Sequence, residues 1–159
     1  GHYIGVVTIV EKLFRAVMPD KVYLGLKDFQ QVKVIEKLVR DKDLPIEIMG
    51  CPTIREENGL AMSSRNLRLT EQGRVLADRI SQALNYVKSH QNQLTPIRII
   101  EEAIQFYLAI PEISIEYLEL RNAYDLSEVD LHQWADNQNY VVLFAGKIEE
   151  VRLIDNVIF

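Results

Sequence analysis

Cysteine, histidine and tryptophan are scarce in this chain: of 159 residues one is cysteine, Cys51, one is tryptophan and three are histidine. A lone cysteine excludes an intrachain disulfide and any zinc site built from cysteines, and it suits a reducing cytoplasm. Basic charge is not in excess either, since 18 Lys and Arg stand against 23 Asp and Glu, a net charge of −5. General binding to nucleic acid requires clustered cations that neutralise phosphates, so this balance argues against it. No apolar run approaches the ~20 residues that span a bilayer, and no signal-peptide pattern opens the chain. Gly1-His2-Tyr3 leads straight into an apolar stretch, which fits a start inside a domain and fits equally a Gly-His pair left by expression.

What remains is the makeup of a globular protein, 48% hydrophobic and 26% charged, able to bury a real core as one domain or two small ones. Lys27, Lys33, Lys37, Arg40 and Lys42 recur along one stretch. For all but Lys27 they read as the solvated face of a helix.

From Ile4 to Val17 the apolar residues Val6, Val7, Val10, Leu13, Phe14 and Val17 keep helical spacing, which predicts a stripe laid on a core and ended by Pro19. Lys21–Gly25 reads as a buried strand. Asp28 is placed to cap a helix with the apolar face Val32, Ile35, Leu38 and Val39, and Gln31 fits a capping box. Leu44–Gly50 is the next strand, so strand, helix and strand fill about 30 residues, the length of a βαβ unit with parallel strands. Residues 51–69 keep no periodicity, and Asn58-Gly59 marks a turn inside a long ordered loop. Ligands of open α/β sheets bind at such strand ends.

The second half reads as α+β. Thr70 caps a helix through Leu76, Ile80, Ala83, Leu84 and Val87, and Thr95-Pro96 opens another that stops at Pro111. Ile115–Tyr117, Tyr140–Ala145 and Val151–Ile154 are strands, the last two joined through Gly146-Lys147 as a hairpin. The domains are therefore expected at residues 1–67 and 68–159.

Two clusters have the residue types for chemistry. Gly25-Leu26-Lys27-Asp28-Phe29-Gln30-Gln31 lies where a strand hands over to a helix. There a backbone can approach a nucleotide, Lys27 can meet a phosphate, Asp28 a ribose hydroxyl and Gln31 a polar substrate. The plainer reading is that Gly25 ends a strand while Asp28 and Gln31 satisfy helix amides, for ~1 kcal/mol. Met62-Ser63-Ser64-Arg65-Asn66 offers two hydroxyls and a guanidinium suited to phosphate oxygens. It is equally ordinary turn chemistry.

Taken together, the clusters resemble the pantothenate synthetase (pantoate–beta-alanine ligase) family, whose members carry Gly-Glu-Lys-Asp-Phe-Gln-Gln followed by Leu-Ser-Ser-Arg-Asn. Gly1-His2-Tyr3, Cys51-Pro52-Thr53-Ile54-Arg55 and Arg152-Leu153-Ile154-Asp155-Asn156 also look like family stretches, so the resemblance covers essentially the whole chain. It implies the second half of a Rossmann-like nucleotide-binding parallel sheet followed by a small α+β domain with an antiparallel sheet. It further implies a cytoplasmic, homodimeric ATP-dependent ligase that joins pantoate and beta-alanine through a pantoyl adenylate, releasing pyrophosphate and AMP, in pantothenate and coenzyme A biosynthesis. By the same resemblance Gly25, Leu26, Lys27 and Asp28 contact ATP, Gln31 binds pantoate, Ile54 lies against the nucleotide, and Met62, Ser63, Ser64 and Arg65 cover the triphosphate. The Ser-Ser-Arg loop is similar to the lysine-rich phosphate loop of class I aminoacyl-tRNA synthetases, which also form acyl adenylates.

Leu26 departs from the family's glutamate, so a backbone contact is expected to survive there and a side-chain role to be lost. The family's histidine-containing, HIGH-like motif has no counterpart, and His2, His90 and His132 read as surface or structural residues. Magnesium is expected with the complete enzyme, its ligands outside these residues. The chain alone is accordingly expected to be a poor catalyst. Two other readings stay open: a non-catalytic module for dimerisation or nucleotide contact, and a different adenylate-forming nucleotidyltransferase.

Overall fold

The computed structural model describes residues 1–108 and 110–159, and the chain divides into two compact units, Gly1–Thr53 and Ile54–Phe159. In the first, α1 (His2–Val17) precedes β1 (Lys21–Gly25), a 3-10 turn (Leu26–Asp28), α2 (Phe29–Asp41) and β2 (Glu47–Cys51). The strands pair in parallel, Lys21 opposite Glu47 and Gly25 opposite Cys51, as the βαβ reading requires. β2 starts later than Leu44. Pro45 has no N–H to give a ladder, and the first ladder-like bond is Glu47 N–H to Asp20 O at 2.9 Å.

Phe14, Ile35 and Ile46 form the core of this unit, with Val10, Val22, Leu24, Val39, Leu44 and Ile48 packed on it. The helical stripe of α1 is there, but only Phe14 of it is fully buried, and Leu13 and Val17 are 55% and 70% exposed. α2 and a two-stranded sheet offer too little surface to cover a whole helix face. α1 ends on Met18, whose φ of 48° is left-handed and whose N–H bonds Phe14 O at 2.8 Å, one residue ahead of Pro19. α2 buries Phe29, Val32, Ile35 and Leu38, spaced three or four apart on one face.

The second unit is built from α3 (Glu71–His90), α4 (Pro96–Leu108) and an antiparallel sheet of β3 (Ile113–Asn122), β4 (Tyr140–Ile148) and β5 (Val151–Ile158) in the order β3-β4-β5. Ala77, Ile80, Ala83, Leu84 and Val87 of α3 and Ile99, Ala103 and Tyr107 of α4 pack on Val142, Phe144 and Leu153 of the sheet. Thr70 caps α3 as its sequence demands, its Oγ1 accepting from Gly73 N–H at 3.0 Å.

The β4–β5 turn is not Gly146-Lys147. Both residues lie inside β4, opposite Leu153 and Arg152, and the turn is Glu149-Glu150, with Glu149 at φ 54°. Gly146 is needed for closeness instead: a Cβ there would lie 2.8 Å from Ser114 O, beside the irregularity in the β3–β4 register. The displaced turn carries Glu149 to the start of α3, where its carboxylate accepts from Thr70 N–H at 3.2 Å and from Thr70 Oγ1–H at 2.5 Å. No helix among the described residues is long and apolar enough to cross a membrane.

Candidate nucleotide-site residues

The first unit gathers Gly25, Leu26, Lys27, Asp28 and Gln31 at the carboxyl end of β1, on the 3-10 turn and first turn of α2. Phe29, buried, roots the turn in the core. Leu26 is half-buried and its side chain folds over the neighbouring strand, where a Cβ on Gly50 would come within 2.8 Å of Leu26 Cδ2. The apolar residue has thus been used for packing, which a glutamate would not favour.

Gly25 is exposed, at φ −68° and ψ 125°, and a Cβ on it would meet nothing within 4 Å. Neither backbone conformation nor packing within this unit calls for glycine.

Asp28 holds the N-cap position of α2, yet its side chain makes no capping hydrogen bond. The expected capping box is therefore not formed. The preceding 3-10 turn leaves Asp28 at φ −90° and ψ 54°, away from the extended conformation that aims an N-cap oxygen at the helix amides. Its exposed carboxylate bonds none of the helix amides, though it still stands at the helix start, where negative charge is favoured.

The other cluster belongs wholly to the second unit. What the sequence presents as a loop is a small antiparallel turn: Arg55 bridges Ala61, Met62 N–H bonds Ile54 O at 2.9 Å, and Gly59 N–H bonds Glu56 O at 2.9 Å. Asn58-Gly59 forms its tip, Gly59 at φ 89°. A 3-10 turn, Ser64–Arg68, follows, and Ser63 Oγ caps it by accepting from Arg65 N–H at 3.2 Å. Ile54 and Met62 are thus neighbours, 71% and 55% exposed, with Ser64 and Arg65 also exposed beside them. Ser63, its oxygen occupied as an acceptor, still has a hydroxyl proton to donate.

Sequence reasoning assigned no role to the groups that hold this turn. Arg55 forms a two-pronged pair with buried Asp155 of β5, at 2.7 and 3.0 Å, and donates to Gly59 O at 2.9 Å. Glu56 accepts from Asn66 Nδ2 at 2.7 Å and from Arg74 of α3 at 3.2 Å. The signal was the pair of family-like stretches containing Arg55 and Asp155, but nothing in either says that they meet.

None of the three histidines joins either cluster. His2 lies beside Tyr3 with ring centres 5.3 Å apart, His90 stacks on Tyr86 at 4.1 Å, and the backbone of His132 bonds Asp130. Among the described residues, no three His, Cys, Asp or Glu side chains assemble into a site for a metal ion.

The family model described as Pantoate-beta-alanine ligase matches residues 1–158. Pantothenate synthetase of Cytophaga hutchinsonii is 44% identical over 161 residues, an alignment covering 99% of this chain and 56% of that protein. Pantothenate synthetase of Porphyromonas gingivalis is 40% identical, with 99% and 55% covered. Among solved structures, pantothenate synthetase from Thermus thermophilus superposes with a TM-score of 0.88 at 37% identity, over 99% of this chain and 56% of that one. Pantoate-beta-alanine ligase from Francisella tularensis, complexed with beta-gamma ATP and beta-alanine, gives 0.65 at 28% identity, with 99% and 50% covered. The chain spans about half the length of these relatives, and by its match along residues 1–158 it belongs to the pantoate–beta-alanine ligase family.

Proposed function

We propose that this chain serves ATP-dependent ligation of pantoate to beta-alanine. In the first step a pantoate carboxylate oxygen attacks the α-phosphorus, a new P–O bond forms, and the bond to the β-phosphate breaks to release pyrophosphate. In the second the beta-alanine amine attacks the acyl carbon, the C–N bond forms, AMP leaves with the C–O bond electrons, and the amine loses a proton. The observation that carries this reading is family membership along residues 1–158, which includes both candidate clusters. The Francisella tularensis relative, held with beta-gamma ATP and beta-alanine, supports the same substrates.

In this reading Gly25 to Asp28 and Ile54 contact ATP, while Met62 to Arg65 cover its phosphates. Lys27, Ser63, Ser64 and Arg65 stabilise the charge that develops on departing pyrophosphate, a task that donors fixed in place perform well. Gln31 holds pantoate for in-line attack, so its part is orientation. The exposed carboxylate of Asp28 and the exposed Ser64 and Arg65 are at liberty to take such parts. Magnesium belongs to this reading as an ion of the complete enzyme, where it would accompany the nucleotide phosphates. Functionally the nucleotide part runs through residue 67, and residues 68–159 form the carboxy-terminal domain of a cytoplasmic homodimer.

In a full-length family enzyme that carries this chain, pyrophosphate release that depends on both ATP and pantoate, followed by AMP release on adding beta-alanine, is the expected result, while the 159-residue chain by itself should turn over far more slowly. Pyrophosphate release with other carboxylic acids but not pantoate would assign a different adenylate-forming reaction.

A further inference from the structure

Asn66 differs from its neighbours in the chain. It is 1% exposed, whereas Ser64, Arg65, Leu67 and Arg68 are all exposed. Its Nδ2 uses both protons, on Glu56 Oε1 at 2.7 Å and Ala61 O at 3.1 Å. Its backbone ties the turn as well: Asn66 N–H bonds Ser63 O at 3.0 Å, and Leu69 N–H bonds Asn66 O at 3.2 Å. Glu56 is braced from the other side by Arg74 at 3.2 Å. A single buried amide thus joins the Ser63–Arg68 segment to the Ile54–Met62 turn and, through Glu56, to α3.

The same amide has a defect. Asn66 Oδ1 is buried and has no hydrogen-bond partner among the described residues. A buried acceptor without a partner destabilises, so an apolar residue would be preferred if the position only filled space. What an apolar residue lacks is the pair of donors. Aspartate has the shape without the donors and would set a carboxylate against that of Glu56.

We infer that Asn66 is a positioning residue for the Ser63–Arg65 turn, acting through its amide on Glu56 and Ala61 and not through contact with substrate. The inference rests on the reading of that turn as a phosphate-binding segment. Ser64 and Arg65 can face solvent in one fixed arrangement because the residue after them is anchored.

The test uses the 159-residue chain with ATP as the probe, in wild type, Asn66→Asp, Asn66→Asp with Glu56→Gln, Glu56→Ala and Arg65→Ala. In Asn66→Asp near neutral pH, the backbone amides of Arg65, of Leu69 and of the substituted position should exchange about tenfold faster or more, while α3 and β4 keep wild-type protection, the mark of a local opening. Protection should return as pH falls and the two carboxylates share a proton. It should also return at neutral pH in the double variant, where the introduced glutamine amide donates to the introduced carboxylate. Glu56→Ala should show the same localised loss, and it decides the matter should Asn66→Asp not fold. ATP affinity should fall about tenfold or more in both Arg65→Ala and Asn66→Asp, since misplacement at ångström scale is costly.

Wild-type exchange in Asn66→Asp, or acceleration spread through α3 and β4, overturns the positioning role. So does an ATP affinity reduced by Arg65→Ala but untouched by Asn66→Asp. If Arg65→Ala leaves ATP affinity unchanged, the phosphate reading of the turn fails; in that case, as when the chain binds no ATP, the exchange pattern alone decides whether Asn66 holds the turn.

Discussion

Arg55 and Asp155, a hundred residues apart, meet in a two-pronged ion pair in which the Asp155 side chain is 1% exposed and that of Arg55 about a third exposed. Asn156 N–H adds a third bond to the same carboxylate at 2.7 Å. The pair fastens the turn that opens the second unit to β5.

Removing Arg55 leaves a buried carboxylate with its countercharge gone. Arg55→Ala should therefore lower the stability of this unit by about 3 kcal/mol, as expected for breaking a buried pair. Arg55→Lys should be intermediate, because lysine keeps the charge and loses the fork. Urea unfolding followed by the fluorescence of Trp134 measures both. Equal stabilities would show that the carboxylate finds other partners.

Two glycines should answer oppositely to alanine. At Gly59 a Cβ would lie 2.6 Å from Ser81 Oγ on a backbone with φ 89°, so Gly59→Ala should cost about 1–3 kcal/mol. At Gly25 there is open space and an ordinary φ, so Gly25→Ala should change stability by no more than about 0.5 kcal/mol. ATP affinity should nonetheless fall in Gly25→Ala. Thermal melts and an ATP titration together check this, and unchanged affinity would remove Gly25 from the proposed site.

In a full-length family enzyme that carries this chain, Lys27→Ala and Arg65→Ala should each reduce kcat/KM for pantothenate formation by the equivalent of about 2–4 kcal/mol, the range for losing a donor that stabilises developing charge. Gln31→Ala should raise the KM for pantoate and leave that for ATP nearly unchanged. A Lys27→Ala variant with parental kcat/KM would contradict the assignment.

Burial, and then the nearby charge of Asp155, hold the Tyr107 hydroxyl well above the ordinary range of a phenol. Folding therefore favours the protonated form. Its contribution to stability is complete below the unfolded value of about 10 and is lost as pH rises from there toward the folded value. Stability should fall with alkali above pH ~10, and Tyr107→Phe should flatten that fall. At neutral pH the same substitution should cost about 1 kcal/mol or less, since the hydroxyl gives only a 3.5 Å bond to Ile80 O. Urea titrations across the alkaline range test both.

Much of the fold was legible because it obeys local rules. β1 falls at Lys21–Gly25, Thr70 caps α3, Pro96 opens α4, and the strands flanking α2 pair in parallel. The misreadings share one cause, which is that a residue type suits more than one local task. Gly146 reads as a turn residue, but its lack of a Cβ serves packing against Ser114 O, while Glu149 takes the left-handed turn. Asp28 reads as a cap, but the 3-10 turn before it rotates its carboxylate away. The α1 stripe satisfies helical periodicity, yet periodicity does not say how much surface stands opposite, and Leu13 and Val17 remain exposed.

Sequence alone determined the identity of the elements and the family, because propensity, periodicity and motif order are properties of neighbouring residues. Only the tertiary structure decided which groups hold the Ser63–Arg65 turn. The Arg55–Asp155 pair joins residues a hundred positions apart, and the orphaned oxygen of Asn66 follows from burial. Such relations depend on where packing places side chains in space, and no local pattern in the chain encodes that position.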